Sequence, residues 1–155
     1  MNKSLEIIYH ASYTKIELPE ISKIKYPKDF SFGFYCTLTK EEAEYLALKY
    51  TTPTVNVYKI SNPSSLSIKV FEDYGDEWLD FVISCRNGNT HKYDVVIGPI
   101  ADDTIYDYIE AYSSNQMNKS YFYESMKSKY SVHQISFHTI KALCSICFIE
   151  SYEIH

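Results

Sequence analysis

The sequence predicts an α+β domain, and three features carry that prediction. Short alternating or β-branched runs are interspersed with segments of helical period. Thr39 followed three residues later by Glu42 marks a helix start by a capping box. No repeat, linker or low-complexity tract divides the 155 residues, so residues 1–155 form one domain.

Taken in order, Leu5 to His10 alternates as a strand, with Ile8 and His10 on one face and Ile7 and Tyr9 on the other. Thr14 to Lys28, with Pro19 and Pro27, reads as a surface loop. The stretch from Asp29 to Ala47 then gives a loop, an extended run through Gly33-Phe34-Tyr35, and a helix from about Lys40 to Lys49. Gly33 allows a close backbone approach, and Tyr35 supplies a flat ring able to stack on a ligand. Val55–Ile60 and Leu66–Phe71 read as strands around the turn Asn62-Pro63-Ser64-Ser65, so a hairpin is expected.

Trp78, Leu79, Phe81, Val82 and Cys85 repeat at helical spacing over Gly75–Cys85. Tyr93–Ile97 is the best candidate for a central strand, closed by Gly98-Pro99. Asp102 or Asp103 caps a further helical pattern through Tyr112, and Ser120–Lys129 reads as another helix. Ser131–His138 is a strand, Thr139–Ile146 a short helix and Cys147–Ile154 a last strand. On the strand before His138, Ile135 and Phe137 share an apolar face. Gln134, Ser136 and His138 share a polar one, and exposure of that face is favoured over a cleft.

Composition narrows the class. A net charge of −5 disfavours a nucleic-acid coat, because it offers no broad basic field to phosphates. No apolar run approaches a membrane span, and the N-terminus lacks the apolar core of a signal peptide, so a soluble, cytoplasmic protein is expected. Cys36 and Cys85 stand alone. Cys144 and Cys147 form a CxxC without a second pair, so buried small side chains are favoured over a metal site.

Three pieces of the chain resemble the His-Tyr-Glu class of ADP-ribosyltransferases, which includes diphtheria toxin and the poly(ADP-ribose) polymerases. They are Tyr9-His10-Ala11-Ser12, Gly33-Phe34-Tyr35 before a capped helix, and Gln134 opening a late strand. More closely, residues 29–35, 93–103 and Gln134 to Leu143 resemble an uncharacterised bacterial family placed near these transferases. The resemblance covers nearly the whole chain, and the order of the pieces carries more weight than any one of them.

That resemblance implies an ADP-ribosyltransferase-like fold, with two small, mainly antiparallel sheets around an NAD cleft and flanking helices. It implies that His10 bonds the adenosine-side ribose of NAD, with Ser12 close by, and that Tyr35 packs on the nicotinamide. Tyr45 is assigned either to ligand stacking or to the core. Ser31 stands where a glycine is usual, and so does Ala11. Gln134 stands where active members carry a glutamate that holds the nicotinamide ribose and stabilises an oxocarbenium-like transition state. An amide still accepts and donates hydrogen bonds but supplies no charge.

Other acids could substitute. Asp102 and Asp103 follow a strand, although a capping role is favoured for them. Glu124 and Glu150 have no special setting. Arg86, at a helix end, could clamp the pyrophosphate, with a surface arginine slightly favoured. The first functional reading is therefore an enzyme that cleaves the nicotinamide–ribose bond of NAD and transfers ADP-ribose to a macromolecule, as a toxin or effector with a small antitoxin-like partner. The acidic balance leans toward a protein acceptor over nucleic acid. The second reading is an NAD or ADP-ribose sensor with weak chemistry, and the third a structural protein with a Tyr-rich binding surface. Gln134→Glu separates the first two: a charge-limited enzyme gains activity, and a site of different design loses it.

Overall fold

In the computed structural model, which describes residues 6–23, 28–99, 124 and 133–155, seven strands join into one mixed sheet. The strands are β1 (Ile7–Ser12), β2 (Phe34–Thr37), β3 (Thr54–Ile60), β4 (Ile68–Val70), β5 (Val95–Pro99), β6 (His133–Phe137) and β7 (Ile146–Glu153). Three α-helices are described: α1 (Lys40–Ala47), α2 (Asp76–Arg86) and α3 (Ile140–Leu143). The α+β class and the strand and helix periods hold. The helices read over residues 102–112 and 120–129 lie outside the described residues, as do Asp102 and Asp103. Glu124 is helical and exposed.

The sheet order is β4-β5-β6-β2-β1-β3-β7, antiparallel throughout except for the parallel β4–β5 pair. The resemblance implies two small sheets; one continuous sheet is found. The junction is narrow, however. β1 and β2 share a single registered pair, Tyr9↔Thr37, whereas β1 and β3 stay registered from Ile7↔Lys59 to Ser12↔Thr54. Beyond Thr37 the carbonyl of Tyr35 is taken by the His10 ring, at 2.6 Å, in place of a main-chain donor from β1. A backbone acceptor at a sheet interior needs a partner, and a side chain supplies it here.

The expected hairpin between β3 and β4 does not form. β3 lies between β1 and β7, and β4 pairs with β5 at the opposite edge. The reason is burial: every β3 residue except Lys59 is buried, which requires neighbours on both sides. The three-residue β4 is only half covered, as suits an edge.

Each sheet face carries its own core. On one, Ile8, Phe34, Cys36, Tyr58, Val95, Ile97, Ile135 and Phe137 pack with Ala142 of α3. On the other, α2 lays Trp78, Leu79 and Val82 against Val96, Phe30 and Phe71, while α1 sets Ala43 and Ala47 on Val55 and Val57. Each large apolar side chain buried this way contributes about 1.5–3 kcal/mol. The Trp78 indole also donates to Pro99 O at 3.2 Å, fixing α2 to β5. Asp94 accepts from Ser67 N at 2.9 Å and from the Thr139 hydroxyl at 2.6 Å, tying the β4 entry to the cap of α3. Those bonds hold its carboxyl below the usual range.

Candidate functional site

Residues 28–33 fold over the α2 face of the sheet and form the centre of the site. Ser31 N donates to Lys28 O at 3.0 Å, and Ser31 turns the chain with φ 78°. The Tyr35 hydroxyl reaches back from β2, donating to Ser31 O at 2.6 Å and accepting from Phe30 N at 3.0 Å. Burial first, and the nearby Asp29 carboxylate second, raise the Tyr35 phenol well above its ordinary range. It is a neutral, fixed donor. Its ring meets His138 edge-on at 6.0 Å, and Lys28 Nζ lies 5.3 Å from its centroid.

Gly33 is where β2 passes β6 most tightly. A Cβ there would stand 2.8 Å from both His138 Nδ1 and Phe137 O, so the close approach read from the sequence is a packing requirement.

The polar face of β6 is covered, against the expectation of exposure. Ser136 is fully buried. His138 Nδ1 donates to Phe32 O at 2.7 Å, and its Nε2 accepts from Ser136 Oγ at 2.7 Å. Gln134 Nε2 donates to Asp29 Oδ2 at 3.1 Å. The same Asp29 accepts from Arg86 Nε at 3.0 Å and from an Arg86 terminal nitrogen, both at Oδ1. The two charged side chains are only 9% and 8% exposed, so Arg86 is neither a surface arginine nor aimed outward as a pyrophosphate clamp. Its charge neutralises Asp29. A face that looks solvent-bound in one dimension is covered because Gln134 and His138 find partners on the distant 28–33 segment.

Three histidines surround this centre, all held neutral. Burial is the main cause in each: it lowers His10 and His138 to about 4 and His91 below its usual value. Their bonds fix their tautomers, since only a ring N–H can bond a carbonyl. His91 donates from Nε2 to Phe30 O at 2.8 Å and accepts from Tyr93 N at 3.1 Å. His138 is likewise satisfied at both nitrogens. His10 donates from Nδ1 to Tyr35 O and stacks on Phe34 at 4.2 Å. Its Nε2, an acceptor in this tautomer, has no partner among the described residues. Lys28 and Lys49 lie near enough for their charges to oppose its protonation further.

The structure thus joins Tyr35, Gly33, Arg86 and Gln134 through Asp29 and the 28–33 loop. His10 is connected to them through the Tyr35 carbonyl at the junction of β1 and β2, although its ring lies on the Phe34 side of the sheet. Ser12 is on the His10 side but buried, its Oγ accepting from Thr14 N at 3.3 Å. Tyr45 is 76% exposed on α1, which removes the core-packing alternative and leaves it apart from the cluster. Glu150 is exposed on β7. Asp29, His91 and His138 are the residues that reading the sequence leaves without a role. Nothing local signals them; Asp29 meets Gln134 across 105 positions.

Cys36 and Cys85 are buried, while Cys144 and Cys147 are exposed, which corrects the expectation of small buried side chains for that pair. Among the described residues no group of three or more His, Cys, Asp or Glu is placed to hold a metal, and no helix is long and apolar enough to cross a membrane. The sequence model of a family described as a protein of unknown function (DUF3990) matches residues 6–148. No curated protein and no solved structure gives a significant match.

Proposed function

The chain belongs to the DUF3990 family, and we propose that it is an NAD-dependent ADP-ribosyltransferase that transfers ADP-ribose to a macromolecular acceptor. The observation that carries this reading is His10: neutral, fixed by the Tyr35 carbonyl, with an open acceptor nitrogen where β1 and β2 part. An acceptor of that kind suits a ribose hydroxyl, which must donate. A cationic histidine would carry two donors and no such preference.

The neighbouring residues support the same reading. Tyr35, with Gly33 just before its strand, fixes His10 through its main-chain carbonyl, and the single sheet is nearly divided at this point. Lys28 and Lys49 place positive charge near His10 in a chain of net charge −5, which suits a diphosphate. In the reaction the bond between the ribose C1′ and the nicotinamide nitrogen breaks, and its electron pair leaves with nicotinamide. The acceptor nucleophile then bonds C1′ and loses its proton to water. His10, on the Phe34 side of the sheet, holds the adenosine-side ribose, and Gln134, on the α2 side, faces the nicotinamide ribose, which develops positive charge.

The test pairs NAD titration calorimetry with nicotinamide release and transfer of adenylate-labelled NAD into a bacterial lysate. Native protein should bind NAD, release nicotinamide and label an acceptor. His10→Ala should weaken NAD binding about tenfold, the worth of one well-placed hydrogen bond. Protease or nuclease sensitivity of the label identifies the acceptor class. Binding without release favours the sensor reading, for which the uncharged amide at Gln134 speaks. No binding by the native protein overturns both.

A further inference from the structure

We propose that Asp29 is a positioning residue for this site, fixing the Gln134 amide so that its carbonyl oxygen faces the ligand. The inference rests on the transferase reading for its catalytic consequence and on the structure alone for its geometry. Arg86 bonds Asp29 Oδ1 with two nitrogens, and Oδ2 accepts from Gln134 Nε2. A carboxylate oxygen at 3.1 Å accepts only from the NH₂ end of an amide, so the orientation of Gln134 is decided. The other end, Oε1, has no hydrogen-bond partner among the described residues and is not sealed in the interior.

An amide whose NH₂ donates to an anion is polarised, and its oxygen becomes the stronger acceptor. The pair Asp29–Gln134 therefore presents to a ribose hydroxyl what a glutamate would present. The negative charge sits one side chain further back, and Arg86 keeps it ionised in the interior. Gln134 is thereby an acceptor built from two residues, neither a lost acid nor an idle relic.

This arrangement reverses the simple expectation for Gln134→Glu. A carboxyl introduced at 134 would stand about 3 Å from Asp29, and two carboxylates at that distance do not both ionise. The variant should lose about 10- to 100-fold in nicotinamide release, the loss falling on kcat, with KM for NAD changed less than about threefold. The exchange Asp29→Asn with Gln134→Glu restores one anion and one amide in the opposite order. Asn accepts from Arg86 through its carbonyl and donates to the new carboxylate. That double variant should recover release to within about threefold of native, a coupling that simple loss of packing does not produce.

The measurement is a double-mutant cycle of nicotinamide release on folded protein, its folding verified by circular dichroism melting. Beside it runs an NMR titration of the carboxyl at 134. In the single variant that carboxyl should titrate above the ordinary range, and in the double variant at or below it. Release by Gln134→Glu at or above the native rate, or a double variant no better than the single, would overturn the proposal. Should the native protein release no nicotinamide, the transferase reading fails. The NMR titration then decides the Asp29–Gln134 coupling by itself: an unshifted carboxyl in the single variant overturns it, and a raised one supports it.

Discussion

Ser31 and Gly33, two positions apart, make opposite demands on the backbone. Ser31 holds φ 78°, a conformation that costs an L-residue about 1–2 kcal/mol and glycine almost nothing. Its hydrogen bonds with Lys28 and Tyr35 use main-chain atoms only, so a glycine keeps them. Gly33 has no positive φ to explain it; its role is steric, set by His138 and Phe137. Ser31→Gly should therefore raise stability by about 0.5–1 kcal/mol. Gly33→Ala should lower it by about 1–3 kcal/mol, the usual cost of overpacking. Denaturant midpoints of the two variants decide this, and a shift of both in the same direction would contradict it. The value of Gly33 is legible in the sequence. The strain at Ser31 becomes visible only where the loop closes on Tyr35.

Among the elements, α1 shows how a correct local signal can be half fulfilled. Thr39 caps the helix as its spacing with Glu42 predicts, accepting from Glu42 N at 3.3 Å. The Glu42 carboxylate returns a hydrogen bond to Thr39 only through side chains, and its Oε2 is buried without a partner. Burial accordingly raises the Glu42 pKa above its ordinary 4.5. The folded state thus favours the protonated acid, and the destabilisation grows as pH rises through and above 4.5. Glu42→Gln should raise Tm at pH 7 and lose that advantage toward pH 4, measured by melts across the range. An advantage independent of pH would argue for helix propensity instead. At the same scale, β3 and β4 show what periodicity omits: both strands are legible, and their pairing is not.

For the whole molecule, the neutral histidines set the response to acid. In the unfolded chain His10 and His138 protonate near 6.5, whereas in the fold they stay neutral down to about 4. Between those values the unfolded state binds more protons, so stability is full above pH 6.5 and falls progressively as pH drops toward 4. Each histidine contributes a slope of up to about 1.4 kcal/mol per pH unit. His91, lowered by the same burial, acts in the same direction. Urea midpoints should decline steadily from pH 7 to pH 4.5, with proton uptake on unfolding. A flat profile would show that these rings do not stay neutral. The three rings link β1, the segment before β5, and the end of β6, so their protonation loosens the sheet and the 28–33 loop together.

The sequence by itself determined the α+β class, the capped start of α1, the two faces of β1 and the tight passage at Gly33. Each of those depends on residues a few positions apart, where period, cap and side-chain volume act directly. Tertiary structure decided the rest: one sheet in place of two, the position of β4 at the far edge, and the burial of the polar face of β6. It also turned Arg86 inward and gave Asp29 its place between Arg86 and Gln134. The physical reason is the same in each case. A buried polar group must find a partner, and sheet order, not neighbourhood in the chain, decides which distant residue arrives to provide it.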